Sequence, residues 1–245
     1  MLEQWFRPLH VAMTPEQFRD LPRHSAYKYE YLEGQAWITP QPRMFNGLLE
    51  LPSRSPREPS QIQNSQLTFR PMEASDWGRF PKLFASAFEN VPPFCALDDK
   101  DRLHAATQCL HQASSGGDGP VLHDASFVAE VAPGKLAAAI VVTLIPKREE
   151  GEWWDGLWDN PPATDDARRL LGRPHLTWIF VAPLLARHGI GSALLDLSVQ
   201  ALQAHGYSQL ASTFLLGNDS TMLWHWRNGF RLMTYPGQVR TKATD

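Results

Sequence analysis

Cysteine is scarce in this chain of 245 residues, which contains only Cys95 and Cys109. Their spacing is not that of metal ligands, so a disulfide framework and a cysteine-based zinc site are both excluded as organising features. Long apolar runs are missing too: the longest, residues 136–145, is too short to cross a membrane as a helix. The N-terminus lacks the basic-then-apolar pattern of a signal peptide. We therefore expect a cytoplasmic protein without a membrane partner.

An excess of positive charge is also absent, since Lys+Arg 23 stands against Asp+Glu 26 and the net charge is -3. This balance argues against nucleic acid as the main partner. Hydrophobic residues make up 43% of the chain and charged residues 20%, which is enough apolar material for a well-filled core. The length is typical of one large domain or of one domain with an appendage.

The best domain boundary is a polar segment at residues 53–66, where Ile62 is the one large apolar residue. Such a composition is typical of a linker. It divides the chain into a small N-terminal appendage, residues 1–52, and a main domain, residues 67–245.

The appendage contains a helix start and a hairpin. Thr14 is a candidate N-cap, with Pro15 at the first helical position and Gln17 at the capping-box position. Residues 27–38 alternate aromatic and charged side chains around Glu33-Gly34, which predicts two antiparallel strands.

The main domain alternates strand and helix signals, which predicts an α/β (α+β) fold with a central mixed sheet flanked by helices. Residues 147–174 fit no regular element over their length. The predicted order is strand, helix, helix, strand, strand, strand, helix, strand, helix, strand, over residues 67–72, 76–87, 98–113, 126–131, 136–145, 175–181, 189–204, 210–216, 220–228 and 230–235.

A glycine-containing loop connects the strand at 175–181 to the longest helix of the second half. Because Gly189 and Gly191 lack Cβ atoms, backbone N–H groups there can approach a ligand, and the first turn of the helix adds unpaired donors and a positive dipole end. A phosphate-type anion fits such a site, with Arg187 and His188 supplying positive charge. The spacing matches neither the dinucleotide fingerprint nor a P-loop. A tight turn without a ligand is the alternative.

The order of elements and this loop together resemble the GNAT family of N-acetyltransferases, over residues 67–235. The family's pyrophosphate loop, Gln/Arg-x-x-Gly-x-Gly/Ala, maps onto residues 186–191, where Gly189 and Gly191 match and Ala186 departs. Leu67-Thr68-Phe69-Arg70-Pro71-Met72 looks like the first strand of the family, and Gly229-Phe230 like the pair that follows its last helix.

The resemblance implies acetyl-CoA as the cofactor and N-acetyl transfer to an amine as the activity. In relatives, the strand end at Phe180 and Val181 pairs with the pantetheine arm, and an Asn at the position of Asn218 contacts the cofactor. The implied CoA-binding residues are Phe180, Val181, Arg187, His188, Gly189, Ile190, Gly191, Ser192 and Asn218.

Two side chains are candidates for the proton transfers that such a reaction needs. His225 stands where the family commonly has a tyrosine acid, and the alternative is a helix-surface histidine between two packing tryptophans. Glu130, near the end of a neighbouring strand, is the candidate base, and its alternative is a residue facing solvent. A water chain to the amine would also suffice.

An acidic, tryptophan-rich segment at residues 149–166 is the candidate acceptor site. Trp153, Trp154 and Asp155 within it would suit a cationic small-molecule amine through charge and cation–π contacts. The alternative is an exposed acidic loop whose tryptophans pack on the domain or on a partner in a homodimer.

The function expected from the resemblance is therefore an acetyl-CoA-dependent N-acetyltransferase. The alternative is a catalytically idle acyl-CoA-binding sensor or interaction module of the same fold. Residues 27–42 also resemble, more weakly, the opening segment of a restriction-endonuclease-like family, through Tyr29, Glu30 and Gly34. The later acidic elements of such a nuclease have no room before residue 67, so an active nuclease is not expected.

Overall fold

The structure, a computed structural model, describes residues 9–21, 23, 27–40, 44–51, 67–147, 158, 160–162, 170–215 and 219–233. Within them, the strands are β1 (Leu9–Ala12), β2 (Tyr27–Leu32), β3 (Gln35–Pro40), β4 (Met44–Glu50), β5 (Thr68–Pro71), β6 (Phe127–Ala132), β7 (Lys135–Pro146), β8 (Gly172–Val181), β9 (Gln209–Leu215) and β10 (Arg231–Leu232). The α-helices are α1 (Pro15–Asp20), α2 (Phe80–Ala87), α3 (Asp99–Ser114), α4 (Ile190–Ala204) and α5 (Asp219–Arg227).

A seven-stranded mixed sheet forms the centre of the fold, in the order β10-β4-β9-β8-β7-β6-β5. The strands β8 and β9 are parallel, because helix α4 connects them, and the other neighbouring strands are antiparallel. This arrangement confirms the mixed α/β sheet that the sequence predicts. The two strands predicted at residues 126–131 and 136–145 are present as β6 and β7, which pair antiparallel.

Apolar side chains are buried on both faces of the sheet. The strand β7 supplies the clearest case, since residues 137–144 are all buried, as expected of a strand covered on both sides. One cluster packs α4 against β6, β7 and β8 through Leu194 and Ile140. The second packs α2 and α3 against the opposite face through Phe84 and Val141. No helix among the described residues is both long and apolar enough to span a bilayer.

The first forty residues contain a smaller three-stranded sheet in the order β1-β3-β2. Thr14 caps α1 in the predicted way: its Oγ1 accepts from the Gln17 N–H at 3.3 Å, and the Gln17 Oε1 accepts from the Thr14 N–H at 2.9 Å. The predicted hairpin is also present, with Glu33 and Gly34 both at positive φ in its turn.

The strand β4 belongs to the central sheet although it precedes the predicted linker. It pairs antiparallel with β9 over residues 44–50 and with β10 at Gly47 and Leu48. The predicted appendage therefore contributes its last strand to the sheet of the predicted main domain. The linker residues themselves lie outside the described part of the chain.

Candidate functional site

A gap between two parallel strands is the main feature of the site. In the described part of the chain, β8 pairs with β9 at only two positions, His175 with Ala211 and Leu176 with Ser212. Beyond them β8 continues to Val181 while remaining paired on its other side with β7. The edge of β8 that faces away from β7 after Leu176 therefore has backbone groups available to another extended chain.

The loop that follows β8 has an unusual backbone. Arg187 has a φ of 64° and Gly189, the N-cap of α4, a φ of 83°, both in the left-handed region. Glycine adopts this region freely, but arginine does so at a cost, and such outliers cluster at ligand-binding loops. Arg187 and His188 are exposed, so two basic side chains lie beside the N-terminus of α4. That helix end carries N–H donors without intrahelical partners and a positive dipole end.

The first turn of α4 lies against both β8 and α5. A Cβ atom added at Gly191 would lie 3.4 Å from Trp224 Nε1 and 3.5 Å from Ile179 Cδ1. The side chains of Ile190 and Ser192 are buried at 1% and 8% exposure, so only their backbone N–H groups are placed for an anion.

Phe180 and Val181, at the end of β8, differ in the groups with which they could contact a ligand. Phe180 is buried at 3% exposure among the rings of Phe80 and Phe84, so it can contribute only its backbone to a ligand. Val181 packs at the edge of the core cluster under α4. Asn218 lies outside the described residues. The CoA-binding roles of all these residues stay predictions.

His225 is held on all sides by the fold. It is 4% exposed, its Nε2 lies 2.8 Å from Ser212 Oγ, and its Nδ1 lies 2.8 Å from the carbonyl oxygen of Thr221. Its ring stacks on Phe214 at a centroid distance of 4.5 Å. Since that carbonyl can only accept, Nδ1 carries the proton and Nε2 accepts from Ser212. The ring also contacts Trp224 and Phe230, whereas Trp226 is 71% exposed, so His225 is a buried core residue and not a surface histidine between two packed tryptophans. The role of His225 as an acid stays a prediction from the resemblance.

Burial lowers the pKa of His225 to about 4, against the partly opposing hydrogen bond to Thr221. In the unfolded chain a histidine takes up its proton near pH 6.5. The stability that the neutral, buried His225 contributes is therefore lost as the pH falls from 6.5 towards 4. When the pH falls from 7.5 to 5, the unfolding free energy of the wild-type chain should drop by about 2 kcal/mol more than that of His225→Gln, which lacks this histidine. Urea unfolding of both chains at the two pH values measures this difference. Equal losses would contradict a buried neutral His225.

Glu130 lies in an ion-pair cluster rather than in solvent. Arg70 Nη2 donates to its Oε1 at 2.9 Å, and the same guanidinium binds both carboxylate oxygens of Asp76 at 2.7 and 2.8 Å. Asp76 is fully buried and Glu130 is 9% exposed. Burial pushes the pKa of Asp76 up, but the hydrogen bonds from Arg70 and from the Glu73 N–H hold it below its usual value. Glu130 therefore already has a structural partner, and its role as a base stays a prediction.

The acidic segment is largely outside the described residues, including Trp153, Trp154 and Asp155. Trp158 is described, and its Nε1 donates to the carbonyl oxygen of Leu144 at 2.6 Å. This tryptophan therefore packs on the end of β7, as the alternative for the segment expects.

A second histidine, which the sequence does not single out, lies where β8 and β9 separate. His175 Nδ1 is 3.1 Å from Thr177 Oγ1, and its Nε2 is 3.0 Å from Thr213 Oγ1. Thr177 Oγ1 is also 2.8 Å from Thr143 Oγ1, so a chain of polar side chains crosses β7, β8 and β9. Polar residues alternate along β8, and this pattern is the signal in the sequence that could have pointed to His175. The pattern does not show which residues of β7 and β9 lie beside His175 and Thr177.

The chain matches no protein-family model and none of the curated proteins. Among solved structures it is similar to a GNAT family acetyltransferase from Brucella melitensis in complex with acetyl-CoA, at 16% identity and a TM-score of 0.44, covering 70% of this chain and 90% of that one. It is similar to the aminoglycoside 6'-N-acetyltransferase AAC(6')-Ih from Acinetobacter baumannii, at 17% identity and a TM-score of 0.41, covering 69% and 92%. A third is the PaiA N-acetyltransferase from Thermoplasma acidophilum with coenzyme A, at 11% identity and a TM-score of 0.44, covering 67% and 89%.

Proposed function

We propose that this protein is an acetyl-CoA-dependent N-acetyltransferase that acts on a small-molecule amine. The observation that supports it best is the adjacency of two binding features. A helix N-terminus with a left-handed loop and two basic side chains directly follows a strand whose far edge separates from its neighbour. The first feature suits a pyrophosphate, and the second suits an extended amide-bearing arm. CoA is a ligand that carries both groups in one molecule.

Different groups of this chain would bind different parts of CoA. The N–H donors at the start of α4, with Arg187 and His188, would hold the pyrophosphate. The free edge of β8 would hydrogen-bond the pantetheine amides and so direct the thioester towards Thr177. Acetyl-CoA would supply the activated acyl group, and an amine entering the gap would attack it.

The reaction is tested by thiol release from acetyl-CoA with a panel of amines, including a polyamine, glucosamine, an aminoglycoside and a lysine-containing peptide. We expect at least one amine to raise thiol release above the rate without an acceptor. The Gly191→Asp variant is the matched control for contaminating activity when acetyl-CoA is kept below its dissociation constant for the wild-type chain, because thiol release by this protein should then fall with the weakened binding. Binding of acetyl-CoA without release on any amine would support the second candidate described below.

Gly191→Asp is expected to weaken CoA binding at least about tenfold, or 1.4 kcal/mol. The new carboxylate would stand in the first turn of α4, beside a bound pyrophosphate, where two negative charges repel. The Cβ atom of the new side chain would make ordinary contacts, since it meets its neighbours at 3.4 Å or more. Isothermal titration of CoA into both chains measures the change.

The control for that titration is Gly191→Asn, which has nearly the same shape without the charge. It should bind CoA more tightly than Gly191→Asp does. If the two variants bind CoA as the wild-type chain does, the first turn of α4 is not the pyrophosphate site.

A second candidate is an idle acyl-CoA-binding module. What favours it is that both ring nitrogens of His225 are engaged and Glu130 is paired with Arg70. Neither of these side chains stands free for proton transfer in the structure. The amine panel separates the two candidates, since both bind CoA and only the enzyme releases thiol with an amine.

A further inference from the structure

The separation of β8 and β9 has a defined vertex. The last paired residues are Leu176 in β8 and Ser212 in β9, so Thr177 and Thr213 are the first residues of each strand beyond the pairing. Thr177 also lies at a register shift with β7, because Val141 pairs with Trp178 and Val142 with Leu176. A bulge of this kind re-aims a side chain out of the regular alternation of the strand.

The imidazole of His175 connects the two hydroxyls at this vertex. Its Nδ1 lies 3.1 Å from Thr177 Oγ1 and its Nε2 lies 3.0 Å from Thr213 Oγ1, so one ring spans both strands. Thr143 Oγ1 lies 2.8 Å from Thr177 Oγ1 and continues the chain into β7. A hydroxyl both donates and accepts, so each threonine can take up a proton on one side while releasing one on the other.

His175 is neutral at rest. Burial lowers its pKa to about 4, and the neighbouring His225 on α5 adds to that effect. Near neutral pH one ring nitrogen therefore carries a proton and donates it to one threonine hydroxyl, and the lone pair of the other nitrogen accepts from the second hydroxyl. An imidazolium formed transiently in this environment is a stronger acid than an ordinary one, so it gives its proton up readily.

We propose that His175, through the hydroxyls of Thr177 and Thr213, carries the proton that passes from the attacking amine to the departing thiolate. The proposal rests on the proposed function. The amine nitrogen forms a bond with the thioester carbonyl carbon, and the C–S bond breaks. One threonine hydroxyl takes the amine proton and passes its own to His175, and His175 returns a proton through the hydroxyls to the sulfur. The products are the amide and the free thiol of CoA, with no proton gained or lost.

The location agrees with this role. Thr177 is four residues back along β8 from Val181, or about 13 Å in an extended strand, so an arm held at the start of α4 would bring its far end towards the vertex. The other two candidates for proton transfer are bonded to residues outside this chain of hydroxyls: His225 to Ser212 and to the Thr221 carbonyl, and Glu130 to Arg70. His175 thus joins the two strands at the point where the reacting groups would meet.

The test compares turnover with cofactor affinity in three variants, using the amine from the panel that the wild-type chain acetylates fastest. His175→Gln keeps a polar side chain that cannot hold a proton, and we expect kcat to fall at least about 100-fold. The dissociation constant of acetyl-CoA, measured by titration, should stay within about twofold of the wild-type value. Thr213→Val should lower kcat in the same way, and Thr213→Ser, which restores the hydroxyl, should recover most of it.

Three results would overturn the proposal. Turnover of His175→Gln within about threefold of wild type would show that the ring holds no proton in the reaction. Equal losses of turnover and of acetyl-CoA affinity would show that His175 only supports the binding site. If His175→Gln fails to fold, equal turnover in Thr213→Val and Thr213→Ser would decide against the relay. Failure of the proposed function itself looks different, because the wild-type chain would then acetylate no amine.

Discussion

A chain that begins at residue 67 should fail to fold, whereas a chain that begins at Met44 should retain the central sheet. The first lacks β4, and with it Leu48, Leu49 and Leu51, whose exposures are 1%, 2% and 0%. Burying each of these side chains stabilises the fold by about 1.5–3 kcal/mol, so their loss removes about 5–9 kcal/mol. That range approaches the whole stability of a typical domain. It would also leave β9 and β10 with unpaired edges.

Circular dichroism with thermal unfolding measures the effect on the two truncated chains and on the full chain. The chain from Met44 is the matched control, because it lacks β1, β2, β3 and α1 but keeps β4. A cooperative transition near the full-length midpoint for the chain from residue 67 would contradict the prediction. It would show that residues 67–245 fold as an independent domain, as the sequence alone suggests.

Arg70→Met should destabilise the protein by about 3–5 kcal/mol, the usual cost of removing one partner from a buried ionic cluster. Asp76 would remain fully buried with only the Glu73 N–H at 2.9 Å and the more distant Arg79 guanidinium at 3.7 Å, and Glu130 would lose its donor. The methionine fills most of the space of the arginine stem, so the charge accounts for most of the loss.

Urea unfolding at pH 7 measures this change, and the triple variant Arg70→Met, Asp76→Asn, Glu130→Gln is its control. Because the triple variant removes the orphaned charges, it should recover part of the lost stability. A triple variant that is less stable than Arg70→Met would show that the cluster acts through shape and not through charge. Unchanged stability in Arg70→Met itself would contradict the ionic role of Arg70.

Features of the fold that depend on a few consecutive residues could be predicted from the sequence. The capping box at Thr14, the hairpin turn at Glu33 and Gly34, and the start of α4 after Gly189 each involve a few consecutive residues. Local propensity and turn chemistry decide them, so a pattern in one window is sufficient.

The strand β4 could not be predicted from the sequence, because its partner strands lie far away along the chain. It pairs with β9 at residues 209–215, and strand propensity depends on such neighbours more than on the strand itself. Gly47 also weakens the local strand pattern. A Cβ atom there would lie 3.4 Å from ring atoms of both Phe214 and Phe230, which is an ordinary contact, so packing alone does not demand glycine at this position.

The candidate site divides in the same way. The anion-binding loop is contiguous in sequence, so its glycines and basic residues could be predicted together. The bridge of His175 between Thr177 and Thr213 depends on the register of β8 and β9 and on a bulge against β7, neither of which a single strand pattern contains. The burial of His225 depends likewise on Phe214 and Ser212, which belong to another element.

The most direct test of the central claim is thermal unfolding of the full chain with and without acetyl-CoA, with ATP and desulfo-CoA as comparators. A ligand present at a hundred times its dissociation constant should add about 2.7 kcal/mol to the unfolding free energy. We predict that acetyl-CoA and desulfo-CoA both raise the unfolding midpoint. ATP should leave the midpoint unchanged, because it lacks the pantetheine arm that would occupy the edge of β8. An unchanged midpoint at millimolar acetyl-CoA would contradict CoA binding, and with it the proposed enzyme.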